Sequence, residues 1–353
     1  MNISSIRNVK IEAISACVPK NKIDNRQFAK DHFPDDLENT IKALGIDNRH
    51  VCKSEKSTAL DLCIEAAKTL FNNTSITPLD IGGLVFITLT PDNLMPNNAS
   101  LAQHLLDLPQ SIPAFDINHA CSGYIYGLWI ASMMAQNLKK RVLLLDGDTN
   151  SHYVSPWDKA TGLLFGDAGS ATIISPSNES SEWFFTFETD GSNREALIIP
   201  GIGFRHLLTQ ESLEYKIYED GSRRRFIDMY MKGEDVFSYV VTKVPKIINE
   251  FLDELDLISD EFDFLLLHQA NAFMLRKLAR KINFDTEKMP ISINKYGNTS
   301  SVSIPLNICS ELRDKLSLPS KALLVGMGAG LSTGAAIVEL GPLFCSGVKE
   351  IEI

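Results

Sequence analysis

Apolar residues recur along the chain in two rhythms. VKIEAISACV (9–18), IGGLVFITLT (81–90), PAFDINHA (113–120), RVLLLDGD (141–148) and FDFLLLHQ (262–269) are short, nearly continuous apolar runs and read as buried strands. Between them lie longer stretches with apolar spacings of three and four, which predict helices. These are STALDLCIEAAKTLF (57–71), NASLAQHLLDL (98–108), SGYIYGLWIASMMAQNL (122–138), DVFSYVVTKVPKIINEFLDEL (235–255), NAFMLRKLARKI (271–282) and VSIPLNICSELRDKL (302–316). Ser57 or Thr58 is the expected cap of the first helix. LLFGDAGSATIIS (163–175) and EWFFTFETDG (182–191) form a β-rich interlude, and loops should concentrate between Glu179 and Arg225, where the sequence is irregular and charged.

Alternating strands and helices predict an α/β fold with parallel or mixed sheets covered by helices. The order reads as two similar halves, each with a strand that leads into a helix at a chemically loaded turn: Ala120-Cys121 in one, His268-Gln269 in the other. No Pro- or Ser-rich linker separates them, so a shared core is expected, with halves at 1–185 and 186–353. Residues 322–339, ALLVGMGAGLSTGAAIVE, approach the length of a membrane span but carry four glycines, a serine and a threonine. Two short buried strands joined by a glycine turn account for them better.

Composition narrows the function. The 353 residues carry a formal charge of −10, which argues against nucleic acid as a partner. An acidic carrier protein would need a local basic patch. Six scattered cysteines form no CxxC pair, so no metal site is expected. The first residues show no basic segment followed by an apolar run, which points to the cytoplasm, where thiols stay reduced.

Three residues carry candidate chemistry. Cys121 follows a buried strand and opens an apolar helix, whose free N–H groups and dipole favour a thiolate. A small buried hydrophobe is the alternative there. His268 ends a strand, and Asn271 can cap the helix after it. Asn298 lies in GNTSS, which also reads as a plain turn before a helix capped by Thr299 or Ser300. Taken together, Cys, His and Asn at element boundaries fit a covalent acyl-transfer site.

The segments HAC-SG, HQAN and GNTS, in this order, resemble the ketoacyl-acyl-carrier-protein synthase III family. FGDAGSATII, MKGEDVFSYVV and GAGLSTGAAIVEL extend the resemblance from about residue 8 to the C-terminus. It implies a thiolase fold, a duplicated five-layered α-β-α-β-α architecture, and a homodimer with no bound cofactor. It further implies that Cys121 takes an acyl group from coenzyme A or carrier protein. His268 and Asn298 would then hold the thioester carbonyl of malonyl-carrier protein while carbon dioxide leaves, with the N–H groups of Cys121 and Ala329 as the oxyanion hole. Met95 matches a position that lines the partner's acyl pocket.

Departures from the family pattern are informative. The Trp and Arg that hold coenzyme A are absent from NTIKALGIDNRH (39–50), where Lys42 is the nearby basic residue. A second family arginine is Lys159, and a docking arginine is Phe273. Arg276, Lys277, Arg280 and Lys281 offer a substitute basic patch for carrier or donor. These changes point away from an acetyl-coenzyme A initiator, toward a secondary-metabolite or surface-polysaccharide pathway. Retention of both His268 and Asn298 favours decarboxylative condensation over acyl transfer to an alcohol or amine, and over a non-catalytic partner subunit. Type III polyketide synthases share the three residue types but differ in the C-terminal glycine motif. Hydroxymethylglutaryl-coenzyme A synthase needs a catalytic Glu that has no counterpart here.

Overall fold

The computed structural model describes all residues except 34–36 and 55, and no side chains for 37–40. Part of the NTIKALGIDNRH stretch, at Asn39 and Thr40, therefore lies outside the described side chains. Two mixed sheets form the frame. Strands β1 (Ile3–Arg7), β2 (Val9–Pro19), β3 (Ile81–Ile87), β4 (Ala114–Ile117), β5 (Arg141–Asp148), β6 (Ala168–Pro176), β7 (Glu182–Thr189), β8 (Phe264–Leu267), β9 (Ser320–Gly328), β10 (Ser332–Leu340) and β11 (Phe344–Ile351) follow in chain order. The first sheet runs β11-β2-β6-β5-β3-β4, and the second β1-β7-β10-β9-β8.

The predicted duplication is visible in strand direction. In the first sheet β3 is parallel to β5, β5 antiparallel to β6, and β6 antiparallel to β2. In the second, β8, β9, β10 and β7 repeat that parallel, antiparallel, antiparallel sequence. The expected boundary at 185/186 falls inside β7, and the chain ends trade sheets. β1 pairs with β7 in the second sheet, and β11 returns to pair with β2 in the first. The glycine-rich pair β9–β10 is thus not the last element. Its apolar run is explained by burial in the sheet, and no described helix is long and apolar enough to cross a membrane.

Five layers result. Helices α3 (Ala59–Asn73) and α4 (Asn98–Leu105) cover the outer face of the first sheet, with Leu62, Cys63, Leu70, Phe86 and Leu145 in that core. Thr58 caps α3 in a box with Asp61, as the sequence suggests. Helix α5 (Gly123–Leu138) and the segment after Asn298 lie between the sheets, where Tyr124, Ile125, Leu128, Ile304 and Ile308 pack with Val85 and Leu324. Helices α6 (Gly233–Asp253) and α7 (Ala272–Lys281) cover the second sheet. At the N-terminal end, α1 (Asn25–His32) and α2 (Leu37–Leu44) form a separate pair. The loop-rich 191–230 stretch carries only two-residue strands.

One prediction needs correction. Residues 302–316 do not form one helix. Winding changes from 3-10 (Ser300–Val302) to α (Ser303–Asn307), to π (Ile308–Leu312), and back to 3-10 (Arg313–Lys315). Pro305 supplies no N–H to the ladder, which loosens the winding around it.

Candidate active site

Cys121 sits where β4 has ended and α5 has not begun. The turn is closed by Gly123 N–H donating to the Ala120 carbonyl at 2.6 Å, and α5 takes over at Gly123. The side chain is buried, 5% exposed. Gly328 of β9 makes room for it: a Cβ at that position would stand 2.7 Å from Cys121 Cβ and 2.9 Å from its sulfur. The sulfur faces its own backbone N–H and that of Ala329, the pair expected from the sequence. Ser122 Oγ and Ser332 Oγ, 2.8 Å apart, tie the start of α5 to β10.

The helix end does not leave a resting thiolate here. Burial pushes the Cys121 thiol up to about 12, and the nearby Asp148 carboxyl pushes the same way. The Ser300 hydroxyl and the two backbone N–H groups oppose this without overcoming it.

His268 directly follows β8 and is 1% exposed. Its Nδ1 lies 2.7 Å from Ser303 Oγ, which accepts the Gln269 N–H at 3.2 Å. The Ser303 hydroxyl proton is then free to donate to Nδ1, which assigns the ring proton to Nε2. Burial lowers the imidazole to about 4 despite the opposing hydrogen bond to the Ser300 backbone. It is therefore a neutral donor at working pH. Asn271 Oδ1 accepts from Met274 N–H at 2.8 Å and caps α7.

Asn298 is reached through Gly297, whose φ of +75° suits the residue without a side chain. The Asn298 backbone joins the 149–167 loop: its N–H donates to Leu164 O at 2.9 Å, and Gly166 N–H donates to its carbonyl at 3.0 Å. Asn298 Oδ1 accepts the Ser300 N–H at 2.9 Å, leaving its amide NH₂ as the outward donor.

Cys121, His268, Asn298 and Ala329 thus converge. Ala329 does so through the Cys121 sulfur, and Cys121, His268 and Asn298 do so on Ser300, which the sequence offers only as a cap. Its signal is the run of hydroxyls in TSSVS (299–303), which exceeds what one helix cap needs. Asp146 and Asp148 were also missed. Both are fully buried at the end of β5, and DGD is the visible trace of a strand carrying charge into a core. Asp146 Oδ1 accepts from Ser301 Oγ at 2.5 Å.

The remaining candidates stand apart. Met95 is 84% exposed, on the β3–α4 connection. Lys159 is exposed, and its Nζ is near the Cβ position of Gly221 at 3.8 Å. Lys42 is exposed on α2. Arg276, Arg280 and Lys281 point outward from α7. Trp157 was not singled out in the sequence. It sits in the 149–167 loop, which runs from Asp148 to β6 and touches Asn298 through Leu164 and Gly166, with the Arg223 guanidinium 4.7 Å from its ring and Tyr215 edge-on at 5.1 Å. A cavity of about 1140 Å³ lies in the 194–230 segment. Asp158 and Asp220 pair with its Arg224, Asp228 with Arg225, and Glu195 with Arg194, while Arg205 and His206 also line it. No cluster of metal-ligating side chains occurs among the described residues.

Comparison with known proteins fits this geometry. Residues 115–191 match the family described as 3-oxoacyl-(acyl-carrier-protein) synthase III, and residues 252–340 match its C-terminal part. A beta-ketoacyl-(acyl-carrier-protein) synthase III of Campylobacter concisus is 33% identical over 332 residues, covering 93% of this chain and 96% of the relative. The enzyme of that name from Clostridioides difficile is 30% identical over 332 residues, covering 93% and 97%. The crystal structure of a 3-oxoacyl-(acyl-carrier-protein) synthase from Burkholderia xenovorans superposes with a TM-score of 0.92 at 34% identity, covering 99% of both chains.

Proposed function

Because this chain belongs to the 3-oxoacyl-(acyl-carrier-protein) synthase III family of thiolase-fold acyltransferases, we propose that it joins an acyl group carried on Cys121 to malonyl-carrier protein, with loss of carbon dioxide. The observation that supports this best is the convergence of three groups on one buried point. A cysteine sulfur faces two backbone N–H groups, and beside it stand the Asn298 amide, whose NH₂ is left as a donor, and a neutral His268, whose ring N–H meets only the Ser300 backbone. Acyl transfer to Cys121 develops negative charge on the acyl oxygen, which the N–H groups of Cys121 and Ala329 would hold. Decarboxylation then develops an enolate on the malonyl thioester, which His268 Nε2–H and the Asn298 amide would stabilise. Neutrality of His268 matters, because burial makes an imidazolium costly and a hydrogen-bond donor is all the step requires.

A homodimer is part of the reading. Among described residues β4 pairs only with β3, so the outer edge of the first sheet is open. Beside it Phe115, Ile130, Met133, Met134 and Leu138 line an apolar groove of about 350 Å³. A second copy docked there would cover both and could receive Met95. The absence of the family's stacking Trp and Arg supports a donor held by carrier protein, in a specialised pathway in preference to general fatty-acid initiation.

Intact-protein mass spectrometry tests the reading. Wild-type enzyme should gain one acyl mass from a donor panel and lose it to malonyl-carrier protein. Cys121→Ala should gain none, and an adduct on that variant would sink the nucleophile assignment. Asn298→Ala should acylate normally and release carbon dioxide at least about 100-fold more slowly.

A further inference from the structure

Ser300 is the residue on which the site is assembled, and its hydroxyl has no assigned task. It is 1% exposed, with φ at +58° in the left-handed region that a serine seldom adopts. Its N–H holds Asn298, its backbone hydrogen-bonds His268, and its hydroxyl stands beside both the Cys121 thiol and the Asp148 carboxyl. Asp148, buried at the end of β5, uses one oxygen fully. Oδ1 accepts from the Leu89 N–H at 2.7 Å, Thr88 Oγ1 at 3.2 Å and Thr90 Oγ1 at 3.4 Å. Asp148 Oδ2 and Ser300 Oγ are both buried, and neither makes a well-formed hydrogen bond. Buried polar atoms left so call for an explanation.

The surroundings favour uptake of a proton. The titratable groups facing Asp148 are Asp146 on the same strand, Cys63 on α3, Cys121, and His268 across Ser300. No cation stands among them in the described residues. Burial raises the Asp148 carboxyl to about 6, against the hydrogen bonds that it accepts. The thiol, at about 12, must lose its proton for the sulfur to attack.

We propose that Ser300 and Asp148 form a proton relay for Cys121. As the sulfur attacks the acyl thioester, its proton passes to Ser300 Oγ while the Ser300 proton passes to Asp148 Oδ2. The new bond joins Cys121 sulfur to the acyl carbon, and the bond from that carbon to the donor sulfur breaks. The proton returns through Ser300 to the departing thiolate, which leaves as a thiol, so the step needs no further reactant. Ser300 touches the reacting sulfur and is catalytic in this sense. Asp148 acts through it.

The proposal rests on the nucleophile assignment above, and the test separates the two. Acylation by the acyl-carrier protein that loads wild type best in the donor panel is followed by quenched intact-mass measurement from pH 5 to 9 for wild type, Ser300→Ala, Asp148→Asn and Cys121→Ala. Wild type should show an acid limb near pH 6. Ser300→Ala and Asp148→Asn should each slow acylation about 100-fold or more, the ordinary scale for a proton-transfer group, and lose that limb. An unchanged rate and limb in either variant overturns the relay, and so does a slowed rate that keeps the limb, since that marks a structural role. Should Asp148→Asn not fold, Ser300→Ala, which removes a single oxygen, decides alone. An adduct on Cys121→Ala instead removes the nucleophile reading itself.

Discussion

Two segments share the central layer between the sheets and serve the site in opposite ways. Helix α5 runs sixteen residues without interruption and offers the site only its N-terminal end, the backbone around Cys121. The 300–315 segment opposite changes winding three times and offers side chains: the hydroxyls of Ser300, Ser301 and Ser303 meet Cys121, Asp146 and His268 in turn. A regular helix can aim backbone donors at one point but spreads its side chains around a cylinder. Successive hydroxyls reach three separate partners because the irregular segment starts from a left-handed Ser300 and never settles into one helix. Charge divides the same way: α5 brings none to the site, whereas the hydroxyl segment faces two buried carboxylates.

The largest effect is expected at Gly328, where β9 presses on the turn before α5. With 2.9 Å between a new Cβ and the Cys121 sulfur, Gly328→Ala must displace the nucleophile. Acylation should fall about 100-fold or more, as misplacement of a reacting group by roughly 1 Å does, and stability by about 1–3 kcal/mol from overpacking. Gly191→Ala, with no atom within 4 Å of its Cβ position, is the control and should change neither rate nor melting temperature. Equal behaviour of the two variants would mean that the close approach of β9 does not set the sulfur position.

Asp148 should also set how stability varies with pH. Its folded carboxyl stands near 6 against an ordinary 3.8. A raised carboxyl favours the folded state in its protonated form. That contribution is whole below about pH 3.8, and is lost as pH rises to about 6. Two units correspond to about 3 kcal/mol. Asp148→Asn cannot ionise, so thermal melts should show it gaining on wild type from pH 4 to pH 7 and holding a constant lead above that. His268 has the opposite sign: lowered to about 4, it supports the fold above pH 6.5 and withdraws that support as pH falls toward 4. A gain in stability paired with lost acylation would mark Asp148 as kept for function at the expense of the fold.

How much of this was legible in the sequence follows the same divide. The strands and α3, α5, α6 and α7 were readable because burial on one or both faces writes a period into the residues. Cys121, His268 and Asn298 were readable because each sits where a period stops. Ser300 and Asp148 were not, since a serine after GNT satisfies the rules for a cap and an aspartate at a strand end satisfies those for a turn. Their role appears only when a contact across 152 positions brings them together. Residues 302–316 misled for a related reason: the apolar spacing is helical, and one proline does not reveal how the chain will rewind around it. β11 was missed because FCSGVKEI (344–351) is polar enough to pass for a tail, while its parallel partner β2 lies at the opposite end of the chain.

The outermost contrast has the smallest expected effect. α5 is apolar around its whole girth, while α7, three residues beyond His268, is buried on one side through Leu275, Leu278 and Ala279 and exposes Phe273, Arg276, Arg280 and Lys281 on the other. Phe273 is 53% exposed and stacks on Phe237 at 5.9 Å, with Lys277 Nζ 4.9 Å from the Phe237 ring. A partly exposed aromatic pair beside cations suits an acidic protein that presents an apolar contact, and it gives a chain of net charge −10 a local surface for such a partner. Phe273→Ala should raise KM for malonyl-carrier protein about 3- to 10-fold with kcat unchanged, the scale of one moderate interface contact. Arg276→Glu with Arg280→Glu should also raise KM, and should flatten its dependence on salt, because long-range attraction is what ions screen. Malonyl-coenzyme A, which carries no protein, separates the surface from the channel. If Phe273→Ala weakens both substrates equally, the ring lines the path to Cys121 and does not receive the carrier.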